Sequence, residues 1–178
     1  MLTIDARSST LLVVDFQARL MPAIDQGAAA VANARRLIDA AALHDIPVVF
    51  TEQNARGLGP TVAELAPDPS AVAHKMTFDA CRTPGFLEER LPADRTLVVA
   101  GCEAHVCVLQ TVLGLLERGR RVFLVRDAVG ARRAESKETA IRRMERHGAE
   151  VVTTEMVVFE WLEAVEHPRF RQTLALIK

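Results

Sequence analysis

Short runs of β-branched and apolar residues, each followed by a segment with helical apolar spacing, constrain this chain more than any other feature of its sequence. Residues 11–14, 46–51, 96–100, 121–126 and 150–153 read as strands, with 71–74 a weaker sixth. Between them, residues 27–44 carry Val31, Ala34, Leu37, Ile38, Ala41 and Ala42 at helical spacing. Residues 106–118 and 135–147 repeat the pattern, 84–91 suit a shorter helix, and 155–165 with 170–177 close the chain. Thr61 followed by Glu64 has capping-box spacing for one more short helix. Strands alternating with helices predict a three-layer αβα fold, Rossmann-like and doubly wound, with a parallel sheet and right-handed crossovers. At 178 residues the whole chain, 1–178, is expected to form one domain.

In such sheets the ligand crevice lies beyond the carboxyl ends of the strands. Asp15 follows the first strand, Lys75 the third and Cys107 the fourth, so three reactive side chains are expected at one edge. Cys107 falls in the first turn of the helix expected over 106–118, where unpaired N–H groups and the helix dipole favour an anion. A thiol attacks as thiolate and needs a base or a cationic setting. Asp15 could take its proton, and a Lys75 ammonium could hold the carboxylate charged. Each residue also has a plain reading: Asp15 a turn cap, Lys75 a surface lysine, Cys107 a small core residue.

Lys plus Arg number 22 against 23 Asp plus Glu, a net charge of −1, so no basic field exists to gather nucleic acid. With no Tyr and one Trp, a stacking platform for bases is also disfavoured. No apolar run approaches a membrane span, and Asp5 and Arg7 interrupt the stretch where a signal peptide would be apolar. Cys81, Cys102 and Cys107 are an odd number without paired spacing, which suits a reducing compartment. The expectation is a cytoplasmic protein acting on a small molecule, with no nucleic-acid or membrane partner.

At these residues the chain resembles the isochorismatase-like cysteine hydrolases. The matching pieces are residues 13–17 (Val-Val-Asp-Phe-Gln), Lys75, and 101–111 (Gly-Cys-Glu-Ala-His-Val-Cys-Val-Leu-Gln-Thr), continuing through 125–128. Thr-Glu-Gln at 51–53, the segment 57–65 and His-Pro-Arg-Phe at 167–170 are similar to the isochorismatase domain-containing branch. The resemblance implies a six-stranded parallel sheet of order 3-2-1-4-5-6, with Cys107 as nucleophile, Asp15 as general base and acid, and Lys75 as supporting cation. It implies a cis peptide between Cys102 and Glu103, with the Glu103 and Cys107 backbone N–H groups as an oxyanion hole. The implied reaction is hydrolysis of an amide-type C–N bond through a Cys thioester, without cofactor, in a homo-oligomer.

Departures bound this transfer. Metal-binding nicotinamidases carry an Asp and His cluster after the second strand, whereas residues 51–61 hold no His and only Glu52 as an acid, so no metal is expected. True isochorismatases cleave a vinyl ether without a cysteine, which leaves that reaction as an alternative. A non-catalytic oligomeric scaffold with a relic pocket is another. Phe16, Gln17, Gln53 and Phe78 are candidate substrate contacts, and His105 is a pocket wall or second proton carrier.

Overall fold

The computed structural model describes residues 2–178. Strands β1 (Ser9–Val14), β2 (Val48–Gln53), β3 (Val72–Lys75), β4 (Thr96–Cys102), β5 (Val122–Gly130) and β6 (Glu150–Val152) form one parallel sheet of order β3-β2-β1-β4-β5-β6. The helices are α1 (Gly27–Leu43), α2 (Ala55–Leu58), α3 (Phe86–Arg90), α4 (Leu109–Glu117), α5 (Ala134–Arg146), α6 (Thr154–Leu162) and α7 (Phe170–Leu176). Sheet order and doubly wound layering are those expected. Among the described residues no helix is long and apolar enough to cross a membrane.

β1 is buried along its whole length because it lies between β2 and β4 with helices on both faces. Side chains alternate across a strand, so Leu11 and Val13 join one core with α1, α6 and α7. Leu12 and Val14 join the other, with α3, α4 and α5. On α1 the buried face is mostly alanine, with Ala30, Ala34, Ala40 and Ala41 around Leu37. Trp161 of α6 reaches the sheet and donates its indole N–H to Ser9 Oγ at 3.2 Å, satisfying a polar atom that burial would otherwise strand.

Three local expectations are corrected. β5 runs on to Gly130 rather than stopping at Arg126, with a register shift against β4 between Val99 and Gly101. Arg126 and Asp127 interrupt its apolar pattern. Thr61 caps no helix: its N–H and Oγ1 both go to the buried carboxylate of Glu52, at 2.7 and 2.8 Å, and only a 3-10 turn follows at Ala63–Leu65. The chain after β4 does not enter an α-helix at Val106. Ala104–Val108 form a π-turn, and α4 begins at Leu109.

Gly101 shows why β1 and β4 meet closely where the site begins. A Cβ there would lie 2.5 Å from Val14 O and 2.6 Å from Val14 Cβ. The two strand ends therefore deliver Asp15 and the π-turn side by side.

Candidate active site

Asp15 follows β1 directly, with φ of 51°, and is 1% exposed. Its N–H donates to Thr51 O at 3.1 Å, which ties this turn to the end of β2. Lys75 Nζ donates to Asp15 Oδ2 at 2.6 Å, and Thr51 Oγ1 donates to Oδ1, also at 2.6 Å. Both side chains of the ion pair are sealed from solvent, at 2% and 0% exposure. A carboxylate removed from water costs several kcal/mol unless paired and hydrogen-bonded. Here both oxygens have a partner.

Lys75 closes β3, the edge strand beside β2. Its ammonium also donates to Thr77 O at 3.3 Å and Phe78 O at 3.5 Å. The 77–83 segment is pinned in turn by Thr111 of α4, whose Oγ1 accepts from Ala80 N at 3.1 Å and donates to Phe78 O at 3.4 Å. The cation is thus held by Asp15 and by two carbonyls of a segment that Thr111 in turn fixes.

Cys107 lies in the π-turn, 7% exposed, near enough to Asp15 and Lys75 for both charges to act on its thiol. The Cys102–Glu103 peptide that opens this turn is cis. The three candidate side chains come together, in a setting that disfavours the thiolate a helix start suggests. Burial pushes the Cys107 thiol up to about 12, and the Asp15 charge adds to this more than the Lys75 ammonium offsets it. Lys75 is already engaged by Asp15, so its charge is only partly available to the thiol.

The candidate contacts disperse. Phe16 is fully buried and packs in the core beneath α1. Gln17 is fully buried and braces a loop, donating from Nε2 to Gly59 O at 2.6 Å and accepting at Oε1 from Gln53 N at 2.9 Å. Gln53 Nε2 donates to Met76 O at 3.3 Å. Phe78 is half exposed, and Met76 more so. A groove of about 640 Å³ beside Lys75 is lined by Asn54, Arg56, His74, Met76, Thr77 and Pro84, among others. His105 faces a different cleft.

Sequence reasoning passed over Thr51, Glu52 and Arg132. Thr51 pairs with Val14 in the sheet register, one step before Asp15. Glu52 anchors the 59–61 loop, and its second oxygen lies 3.4 Å from His74 Nδ1. Arg132 Nε holds the Glu103 carboxylate at 2.8 Å. Among the described residues no three His, Cys, Asp or Glu side chains converge as ligands for a metal ion.

Comparison with known proteins places this geometry. The family model described as the Isochorismatase domain matches residues 9–156. Isochorismatase domain-containing protein 2 of Xenopus laevis is 35% identical over 173 residues, covering 96% of this chain and 84% of that protein. The solved structure of the MAR1 ribonuclease from Caenorhabditis elegans superposes with a TM-score of 0.90 at 35% identity, over 98% of this chain and 92% of that one. YcaC from Pseudomonas aeruginosa, solved with hexane-2,5-diol and covalent acrylamide, gives 0.85 at 27% identity, over 98% and 91%. The Escherichia coli YcaC product, described as an octameric hydrolase of unknown specificity, gives 0.86 at 26%, over 99% and 88%.

Proposed function

Because the chain belongs to the isochorismatase family, we propose that it is a hydrolase of small molecules that cleaves an amide-type C–N bond through a thioester on Cys107. The observation that carries this reading is one buried carboxylate, Asp15, paired with the Lys75 ammonium and near enough to the buried Cys107 thiol for its charge to act on it. The covalent acrylamide reported for the Pseudomonas YcaC supports a reactive nucleophile on this fold.

As Cys107 Sγ attacks the carbonyl carbon, its proton passes to Asp15 and the C–O π bond becomes an oxyanion. The backbone N–H groups of Glu103 and Cys107 are assigned to that oxygen. Collapse expels the nitrogen, which takes the proton from Asp15 and leaves as an amine or ammonia. Water then gives a proton to Asp15 and attacks the thioester, and the thiolate recovers that proton as the acid departs. Asp15 begins and ends as a carboxylate, so the cycle closes. Lys75 stays charged throughout and disfavours early proton capture by Asp15.

The substrate is proposed to be a small molecule rather than RNA. The ribonuclease name belongs to the C. elegans protein, and a balance of 22 basic against 23 acidic residues gives no field to hold a polyanion. Self-association is proposed on the precedent of the octameric YcaC. The test is ammonia release from a panel of small primary amides, with intact-mass detection of an acyl adduct on Cys107. Both signals should vanish in Cys107→Ala. Full turnover of a vinyl-ether substrate by that variant, without any adduct in the wild type, would overturn the thioester reading.

A further inference from the structure

The turn that carries Cys107 also borders a second cleft, of about 350 Å³, lined by His105, Arg132, Arg133 and Ser136. None of the proposed catalytic side chains lines it. Every lining side chain can donate a hydrogen bond, and none is a carboxylate. His105 Nδ1 is buried with no hydrogen-bond partner among the described residues. A buried, unpaired ring nitrogen costs free energy, so the ring is held in this lining at some expense to stability.

The charges point the same way. Arg132 uses Nε on Glu103 Oε1 at 2.8 Å, and no carboxylate of the described residues pairs with Arg133. The acids nearest in sequence are Glu103, already engaged, Glu138, paired with Arg126, and Glu135, which is exposed; neither Glu135 nor Glu138 is part of the lining. Two guanidinium groups with an imidazole and a hydroxyl match the planar, multi-acceptor geometry of an oxyanion. The cleft sits at the small end of ligand-pocket sizes.

We infer that the cleft formed by His105, Arg132, Arg133 and Ser136 binds a small oxyanion, a phosphate or carboxylate group, beside the turn that carries the proposed nucleophile. This site stands independently of the proposed turnover.

The test is equilibrium binding of inorganic phosphate and of phenyl phosphate to the full chain, with ionic strength held constant by chloride. One saturable site in the millimolar range is expected in the wild type and equally in Cys107→Ala. Arg133→Gln, a change at an exposed position, should weaken it about tenfold, and His105→Gln should weaken it severalfold. Arg133→Lys should restore part of the loss, since charge returns without the planar fork. Tighter binding of phenyl phosphate would assign the site to the acidic end of a larger molecule, and tighter binding of inorganic phosphate to a free anion. Absence of saturable binding of either probe, or equal affinities in wild type and Arg133→Gln, would overturn the inference. A wild type that binds phosphate but hydrolyses no amide would overturn the proposed function and leave this site standing.

Discussion

Thr51 Oγ1 donates a 2.6 Å hydrogen bond to Asp15 Oδ1, while Lys75 holds the other oxygen. Thr51 lies in β2 and is 1% exposed, so its hydroxyl fixes the carboxylate without touching solvent. It is a positioning residue in the proposed reaction. Thr51→Val leaves Oδ1 short of a donor and should cost about 1.5–3 kcal/mol of stability, the range for hydrogen bonds to charged groups. Denaturant unfolding measures this. Thr51→Ser should restore stability, and if the positioning role holds it should also restore the pH profile of hydrolysis that Thr51→Val displaces.

Gly101→Ala should destabilise the chain by about 1–3 kcal/mol, the usual cost of forcing extra volume into a packed core. The new Cβ would meet Val14 O at 2.5 Å, and that atom is backbone. The collision falls just before Asp15, so hydrolysis should fall further than stability alone explains. Comparing turnover at temperatures where both proteins remain folded separates the two effects.

Alkaline stability reports the buried thiols. Cys81, Cys102 and Cys107 are each pushed up to about 12, with burial the largest cause. Unfolded thiols ionise near 8.5, so above that pH the unfolded chain has lost protons that the native chain keeps. Stability therefore falls as pH rises from about 8.5 toward 12, and is insensitive to these groups below that window. Cys102 is fully buried, and Cys102→Ala should flatten the slope of the denaturation midpoint between about pH 8 and 10.5. An unchanged slope would remove Cys102 from the account.

Glu52→Gln should loosen the segment that follows β2. Glu52 Oε1 accepts from both Thr61 N and Thr61 Oγ1, and its burial gives that carboxylate no water to replace them. Hydrogen exchange at Thr61 should rise by about tenfold as the charge-assisted bond weakens. The amides of β1 should stay protected.

β1 is legible because residues 11–14 are uniformly apolar, which suits a strand covered on both faces, and Asp15 is the polar residue that ends it. Lys75 and Cys107 are legible for the same reason, as chemistry-bearing residues at strand ends in an alternating pattern. Thr51 is not, because a threonine inside a β-branched run is fully explained by sheet propensity. The π-turn is hidden because Val106, Val108 and Leu109 fit an α-helical spacing as well. The setting of the thiol is hidden too: a helix start suggests an anion, whereas burial and the Asp15 charge both push the Cys107 thiol up. The His105 cleft needs Arg132 and Arg133 from beyond β5, which no local pattern connects to it.

The central claim is that Asp15 is the proton acceptor for Cys107, and Asp15→Asn tests it by moving two measurements in opposite directions. Removing the carboxylate deletes a cause that raises the thiol pKa while leaving Lys75 in place, so the Cys107 titration, followed by thiolate absorbance, should shift below about 12. Amide hydrolysis should nevertheless fall by about 10³-fold, the scale of losing a general base. More thiolate with less turnover is the predicted result. A variant with the wild-type thiol titration and wild-type ammonia release would contradict the account.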